Sequence, residues 1–386
     1  MTPPHPTPPS AVLRNARIVT PHGIVHGSLT VADGRIATVS RDHGGAAAGH
    51  GGDGEDLAGA WVVPGFVDIH VHGGGGATYT TGEVDQARKV AAFHLGHGTT
   101  TTLASLVTSP PELMHRATKE LAPLVDEGVI AGIHYEGPYL SAARCGAQNP
   151  AHLRHPDPAE LARLVDAGAG TVRMVTIAPE LPGALEAIEW LVARGITVAV
   201  GHTDATYAET LAAVAAGATV GTHVFNGMRP PHHREPGPVY ALLAADTVVC
   251  EFIADGVHLH DGTLRFATGV TGPGRAALIT DAMAATGMPD GTYELGGQPV
   301  TVSGGVARLT DGGSIAGSTL TMDSALRRAI GAGLSIMDAA AMTATTPARV
   351  LGLTDRGALV SGLRADVVVL SDQLRVERVM RAGKWR

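Results

Sequence analysis

Six residues with metal-binding side chains stand at the ends of short apolar runs in this sequence. His70 and His72 end the first run, and Glu136 ends the third. The fifth, sixth and eighth runs end with His202, His223 and Asp281 respectively. Residues two apart in an extended strand share one face, so the first two histidines point the same way. Imidazole and carboxylate groups suit Zn²⁺ and related divalent ions. A single histidine of this kind is more often a buried structural residue, but six together predict a metal centre.

The apolar runs alternate with segments that have a helical pattern. Such alternation is typical of parallel strands joined by right-handed helical crossovers, and eight units can close into a (β/α)8 barrel. All strands of a parallel barrel end at one face, which would bring the six side chains together. A doubly wound open sheet is the alternative, although it seldom needs eight successive strands. The eight runs are 62–72, 99–107, 129–136, 172–178, 196–202, 219–223, 248–254 and 276–281.

Both ends of the chain carry a different pattern. Short strands with turns are predicted over residues 11–40, and two more over 366–370 and 376–380. We therefore predict a small β-sandwich domain built from residues 11–61 and 350–386, with the barrel over 62–349. Residues 1–10 are predicted to be a disordered tail, and the Gly/Ala-rich residues 43–54 a flexible loop. Residues 291–313 are predicted to be a hairpin-like insertion after the eighth strand.

The composition narrows the classes of function. The chain has 386 residues, 44% of them hydrophobic, and a formal net charge of −8. A nucleic-acid-binding protein would usually carry a basic stripe, so we expect no such partner. Two cysteines cannot form a disulfide framework and favour a reducing compartment. We see no run of apolar residues long enough for a membrane span and no signal peptide, so the expected location is the cytoplasm.

The residues alone thus predict a metal-assisted hydrolase. A divalent ion lowers the pKa of a bound water towards neutrality, which generates a nucleophile, and it can polarise the scissile carbonyl. Asp281 is the natural proton shuttle. It would accept the proton of the attacking water and return it to the leaving amine.

The sequence also resembles the amidohydrolase superfamily, and within it the N-acetylglucosamine-6-phosphate deacetylase family. Many superfamily members have a carboxylated lysine on strand four, whereas here Glu136 on strand three stands in its place. The glutamate motif together with NGM and REPG is the specific part of the resemblance. The matching segments are PGFVDIHVHG (64–73), HYEGPYL (134–140), GHTDA (201–205), THVFNGM (222–228), REPG (234–237), ADGVHLH (254–260), LITDAM (278–283) and GSIAGS (313–318).

The resemblance implies hydrolysis of N-acetyl-D-glucosamine 6-phosphate to D-glucosamine 6-phosphate and acetate, with Asp281 as general base and acid. It implies Glu136, His202 and His223 as ligands of the main metal. Because His70 and His72 are present, we expect capacity for two ions, which Glu136 would bridge with Asp281 close by. Zn²⁺ is the favoured ion, with Fe²⁺, Mn²⁺, Co²⁺ and Cd²⁺ as alternatives. A homodimer or larger homo-oligomer is implied as well.

The same resemblance implies a set of substrate contacts. Arg234 can hold the phosphate through a bidentate fork. The family often has a histidine in the loop after EGP, where it helps to polarise the acetyl carbonyl, but this chain has Gln148 there. Cys145 is also unusual in that loop. The implied contacts are Ala147, Gln148, Asn226, Gly227, Arg234, His258, Ile315, Ala316 and Gly317.

The sequence leaves two alternative functions open. One is a related amidohydrolase that acts on another N-acyl amino sugar or on a cyclic amide. Dependence on the 6-phosphate separates it from the favoured reaction. The other is a non-catalytic scaffold that kept the fold, which metal content and activity would exclude.

Overall fold

The computed structural model describes residues 11–42 and 54–386. The predicted tail over residues 1–10 and residues 43–53 of the predicted loop lie outside the described residues. Within the described ranges, no helix is long and apolar enough to cross a membrane.

Eight parallel strands form the barrel and follow each other around it in chain order. Strand one and strand eight meet where the amide of Asp281 donates to the carbonyl of His70, at 2.9 Å. The buried Asp68 strengthens this closure, because its carboxylate accepts from the Thr280 hydroxyl at 2.5 Å. Strand two is buried along its whole length, as expected when both faces of a strand are covered. The strands, numbered one to eight, are Phe66–Asp68, Thr99–Val107, Gly132–Glu136, Val172–Ile177, Thr197–Val200, Val220–Gly221, Val249–Ile253 and Ala276–Ile279.

Helices surround these strands, and local sequence signals account for several of their starts. Thr206 and Glu209 form a reciprocal capping box, and Asp157 caps the helix that opens at Pro158. The helix Pro111–Leu121 ends just before Pro123, which has no N–H to donate and begins a second, shorter helix. The α-helices are Val84–Gly96, Pro111–Leu121, Pro123–Asp126, Pro158–Ala167, Ala184–Val192, Tyr207–Ala215, Gly237–Ala244, Asp261–Thr271, Met322–Gly331, Ile336–Ala340 and Thr346–Val350, with 3₁₀ turns at Ala142–Arg144, Pro150–His152 and Pro273–Arg275 and a π-helical turn at Ala341–Thr345.

The two chain ends share one sheet. Val367–Leu370 pairs with Trp61–Pro64, and Trp61–Pro64 pairs with the first strand of the chain. Alternation along Val367–Leu370 explains why all four residues are apolar. Val367 and Val369 pack in the core of this sheet, while Val368 and Leu370 pack against the barrel. The strands of the sheet are Ala11–Thr20, Gly23–Ala32, Arg35–Arg41, Glu55–Asp56, Trp61–Pro64, Val367–Leu370, Val376–Arg381 and Lys384–Trp385.

The prediction of a (β/α)8 barrel with a small β domain from both ends is confirmed. The run predicted over 62–72 is divided in the structure, since Trp61–Pro64 belongs to the terminal sheet and Phe66–Asp68 to the barrel. The chain passes between the two sheets at Gly65, where a Cβ would lie 2.3 Å from the Thr100 hydroxyl. The exact domain boundaries at 61/62 and 349/350 stay a prediction.

The insertion after strand eight is a three-stranded antiparallel sheet. Its strands are Gly291–Leu295, Gln298–Ser303 and Val306–Leu309, and two short strands, Gly73–Gly74 and Ala77–Thr78, follow barrel strand one. The insertion packs through Leu295 and Val300 on Met283, which lies just beyond strand eight. It therefore stands over the carboxyl ends of the barrel strands.

Candidate active site and metal centre

Glu136 lies at the centre of the predicted ligands. Its Oε1 is 3.0 Å from Nε2 of both His202 and His223, and its Oε2 is 3.1 Å from Nε2 of His72. His70 Nε2 is 3.4 Å from Oε1. These residues end or follow strands one, three, five and six, so the arrangement of the strands around the barrel brings them together.

The ligand atoms fall into two groups that share Glu136. The strand-one group consists of His70, His72, Glu136 and Asp281, and the strand-five group consists of Glu136, His202 and His223. Within each group the ligand atoms lie within 4.8 Å of one another, and all the residues are buried. Either group offers the nitrogen and oxygen donors that Zn²⁺ and related ions bind.

The second nitrogen of each histidine has an oxygen acceptor, which orients the ring. His72 Nδ1 donates to the Ser105 carbonyl at 3.0 Å, His202 Nδ1 to the Arg144 carbonyl at 2.9 Å, and His223 Nδ1 to the Asn226 carbonyl at 3.1 Å. His70 Nδ1 instead donates to the carboxylate of Glu251 at 3.1 Å. With the proton on Nδ1, every Nε2 presents a lone pair to the centre, as metal-ligating histidines do.

The geometry of these nitrogens fits a cation. His70 Nε2 and His72 Nε2 are 3.2 Å apart, as are His202 Nε2 and His223 Nε2, so in each pair two lone pairs face each other. Burial lowers the pKa of His70, but Glu136 and Glu251 outweigh it and raise the pKa well above its ordinary value. The carboxylates therefore favour positive charge at this centre, and a bound divalent ion would supply it in place of a proton on the ring.

Both central carboxylates are ionised. Burial raises the pKa of Glu136, yet the charges of His70 and His202 and the surrounding hydrogen bonds hold it well below the ordinary value. Burial also opposes ionisation of Asp281, but a hydrogen bond from His72 and the charge of His70 lower its pKa. Asp281 can therefore accept a proton.

Three of the site residues have a left-handed backbone. The φ angles are 45° at His202, 26° at His223 and 49° at Asp281. Such values are uncommon for residues with a side chain and mark places where the surrounding structure fixes the chain. Here they end the strands sharply and aim the side chains at the centre of the barrel mouth.

A cavity of about 230 Å³ opens above the metal-binding groups. Most of the predicted substrate contacts line it, and so does Leu295 from the insertion. His70 and Ala316 are buried behind its wall, with exposed fractions of 0%. Arg234 lies elsewhere, in an exposed loop, where its Nη1 is 2.8 Å from His233 Nε2. The lining residues are His72, Glu136, Gly146, Ala147, Gln148, His202, His223, Asn226, Gly227, His258, Asp281, Leu295, Ser314, Ile315 and Gly317.

Gln148 is fixed between the metal-binding groups and strand two. Its Oε1 accepts from the amide of Thr108 at 2.8 Å, and its Nε2 donates to Glu136 Oε2 at 2.6 Å. The Thr108 contact sets the orientation of the amide, so the N–H groups face Glu136 and the cavity. Gln148 thus presents a neutral donor to the cavity.

His134 supports the site without lining the cavity. Its Nδ1 is bonded to the Ser105 hydroxyl and its Nε2 to the Thr176 hydroxyl, both at 2.9 Å. Its ring stands edge to face against His70, with centroids 4.7 Å apart. Burial and the positive charge of His70 hold its pKa well below the ordinary value, so it is neutral.

Sequence reasoning missed Glu251. This residue lies in the middle of strand seven with an exposed fraction of 0%, and it bonds to His70. The available signal was a single charged residue inside an apolar run, since buried carboxylates are rarely left without a partner.

Comparison with known proteins gives a consistent picture. Residues 61–386 match the amidohydrolase family. An N-acetylglucosamine-6-phosphate deacetylase from Lysinibacillus sphaericus is 34% identical over 385 residues, covering 98% of each chain. An N-acetylgalactosamine-6-phosphate deacetylase from Escherichia coli O157:H7 is 37% identical, covering 97% of this chain and 98% of the relative.

A solved structure carries the likeness further. The N-acetyl-D-glucosamine-6-phosphate deacetylase of Mycobacterium smegmatis, in a mutant form in complex with N-acetyl-D-glucosamine-6-phosphate, superposes with a TM-score of 0.93 at 48% identity. The match covers 97% of this chain and 98% of that one. The chain therefore belongs to the amidohydrolase family and, within it, to the N-acetylglucosamine-6-phosphate deacetylases.

Proposed function

We propose that this protein hydrolyses the acetamide of N-acetyl-D-glucosamine 6-phosphate, giving D-glucosamine 6-phosphate and acetate. The observation that carries the proposal is the position of Asp281. Its ionised carboxylate lines the cavity and lies 3.1 Å from His72 Nε2 in a group able to bind metal. A proton acceptor, a metal-binding group and room for a substrate thus occur at one place.

The metal centre is proposed to hold two divalent ions, most favourably Zn²⁺, one in each group with Glu136 between them. A divalent ion bound there supplies Lewis acidity, which lowers the pKa of bound water and polarises a carbonyl oxygen. Fe²⁺, Mn²⁺, Co²⁺ and Cd²⁺ have donor preferences that overlap with this set.

The chain's own residues would carry the proton and orient the amide. Asp281 accepts the proton of the attacking water and delivers it to the nitrogen as the C–N bond breaks, which lets the amine leave uncharged. Gln148 donates to the acetyl oxygen through the N–H that its Thr108 contact aims at the cavity. Because an amide cannot carry charge, its contribution is to orient and polarise that oxygen.

The far end of the cavity would hold the sugar and its phosphate. The backbone at Ala147 and Ile315 would lie along the sugar, and Asn226 and His258 would face the phosphate. Asp255 fixes the His258 ring through its Nδ1, at 2.6 Å, so that Nε2 remains for the substrate.

The proposal is tested by acetate release from N-acetylglucosamine 6-phosphate by the Zn²⁺-loaded protein. Unphosphorylated N-acetylglucosamine is the control for phosphate recognition, and the chelated protein is the control for metal dependence. We expect release only from the phosphorylated sugar and only with metal. Release at the same rate from the unphosphorylated sugar would contradict the proposed substrate.

N-acetylgalactosamine 6-phosphate is the second candidate substrate. The E. coli relative named for that sugar is 37% identical, so the likeness does not by itself select the C4 configuration. Parallel assays with both sugar phosphates would decide. A higher kcat/KM for the galactosamine derivative would make it the preferred substrate, and the proposed deacetylation reaction would stand.

We also propose that the enzyme is a homodimer in which Arg234 completes the phosphate site of the other copy. Arg234 is exposed and does not line the cavity of its own chain, although a guanidinium suits a phosphate. Mixing Arg234→Ala with Asp281→Asn protein tests this. If Arg234 acts across the interface, the mixed dimer contains one site with both residues and regains activity. If it acts within its own chain, the mixture stays inactive.

The proposed location is the cytoplasm. Cys145 and Cys250 are both free thiols in the structure, which suits a reducing compartment. Fractionation of cells that express the protein would test this.

A further inference from the structure

Glu251 is a buried carboxylate in contact with both metal-binding groups. Its Oε2 accepts from His70 Nδ1 at 3.1 Å and from the backbone amide of His223 at 3.3 Å. Its other oxygen is buried and has no hydrogen-bond partner among the described residues. Burying an ionised carboxylate is costly unless opposite charge lies close by. Of the hydrogen-bond partners that Glu251 has among the described residues, only the imidazole of His70 could carry such charge.

The contact makes His70 different from the other three histidine ligands. The Nδ1 atoms of His72, His202 and His223 donate to backbone carbonyls, which are neutral. His70 alone among these four donates to a carboxylate. A carboxylate partner fixes the ring tautomer and makes the opposite nitrogen a stronger donor to a metal.

The charge of the metal-binding groups also points to a role for Glu251. Glu136 and Asp281 together match the charge of one divalent ion, and a second ion in the shared site needs further negative charge. Glu251 supplies it one ring away from the strand-one group, in a place that water does not reach. Low polarity at such a position makes the interaction stronger than it would be in solvent.

We infer that Glu251 is a positioning residue that gives the strand-one group its capacity for a second divalent ion. The inference rests on the proposed metal centre, and it assigns a distinct role to one residue. Glu251 acts through the His70 ring, while the rings of His202 and His223 are oriented by backbone carbonyls and do not depend on its charge.

Glu251→Gln is the deciding variant, because the amide keeps the shape and can accept from His70 while it removes the charge. Protein loaded with Zn²⁺ and dialysed is analysed for metal content, and zinc affinity is measured by titration. We expect two ions per chain in the wild type and one in the variant, with the second ion bound on the order of 10–100-fold more weakly. A Co²⁺ absorption spectrum should lose the component that His70→Asn also removes.

Matched variants separate this role from a structural one. Asp366→Asn removes another buried carboxylate, which directly precedes the strand Val367–Leu370 and belongs to neither metal-binding group, and should keep both ions. Glu251→Asp should recover part of the second ion's affinity. The double variant Glu251→Gln with His70→Asn should bind metal no more weakly than His70→Asn alone, because both changes act on one interaction.

The outcomes that overturn the inference are specific. The inference is wrong if Glu251→Gln binds two ions at wild-type affinity. It is also wrong if the wild type, with Glu251 in place, binds only one ion. Equal loss of both ions in Glu251→Gln would overturn it as well, since Glu251 would then support the whole centre. Acetate release by the wild type is read separately, so failure of the proposed reaction would not be mistaken for failure of this inference.

Discussion

The position of the Asp281 carboxylate and its ionised state both bear on its proposed role as proton acceptor. Its carboxylate lies 3.1 Å from His72 Nε2 and lines the cavity, and the histidines around it keep it ionised despite burial. Asp281→Asn keeps the size and one oxygen donor but cannot accept a proton. We expect kcat for acetate release to fall by about 10³-fold. Metal analysis of the variant is the control, and a variant that keeps its metal and loses less than about tenfold in kcat would contradict the assignment.

Gln148 offers a second test at the level of single residues. Gln148→Ala removes the donor to Glu136 and to the cavity and leaves the Thr108 amide without its acceptor. We expect kcat to fall on the order of 10²-fold with a smaller change in KM, since the contact matters most as charge develops on the acetyl oxygen. Steady-state kinetics measure this. Gln148→His, which keeps a hydrogen-bond donor at this position, is the control and should retain more activity than the alanine variant.

Among the elements, the helix Met322–Gly331 is fixed to the helix Val84–Gly96 through Asp323. Its carboxylate lies 3.2 Å from His97 Nδ1 and 2.7 Å from Arg327 Nη1. Burial raises the pKa of Asp323, but the hydrogen bonds from His97, Thr321 and Arg327 lower it far below 3.8. The ionised group therefore joins two neighbouring elements of the barrel wall.

The predicted effect of Asp323→Asn depends on pH. The pKa is lower in the folded state, so the carboxylate stabilises the fold above about pH 4 and loses this contribution as the pH falls further. We expect the free energy of unfolding to drop by about 3 kcal/mol at pH 7. The gap to the wild type should narrow below pH 4, as measured by urea unfolding. Asp261→Asn breaks the exposed pair with Arg328 and is the control, with little expected effect. A gap that stays constant down to pH 2 would contradict this account.

For the whole molecule, the terminal sheet joins the two ends of the chain in one core. Met380 from the last strands and Leu29 from the first belong to the same buried cluster, both with exposed fractions of 0% or close to it. Met380→Ala should therefore lower the free energy of unfolding by about 3 kcal/mol. Val360→Ala, at a residue that is 38% exposed, is the control and should change it by less than about 0.5 kcal/mol.

Activity adds a second measurement to the Met380 prediction. Met380 lies in the terminal sheet and does not line the cavity, so kcat and KM of the folded variant should match the wild type. Thermal unfolding and acetate release, measured on the same preparation, would show both effects. A large loss of kcat at a temperature where the variant is folded would mean that the terminal sheet takes part in the reaction.

The sequence by itself predicted the alternating strands and helices and the strand ends at which the candidate metal ligands lie. Period-two spacing places His70 and His72 on one face, and parallel strands bring Glu136, His202 and His223 to the same end of the barrel. These are local rules, so they can be applied without knowing how the barrel closes. The division of the first run at Gly65 was not predictable in this way, because it depends on the contact with Thr100.

Only the tertiary structure decided the partners of these residues. Glu251 meets His70 across strands seven and one, and Gln148 meets Glu136 from a loop. The same holds for Arg234, which the resemblance implies as a phosphate contact and which lies in an exposed loop without lining the cavity of its own chain; its role at the phosphate stays a prediction. Contacts between residues far apart in the chain depend on the stagger of the strands and on loop paths. Hydrophobic periodicity sets the face on which a residue lies, but it does not set the atom that the residue touches.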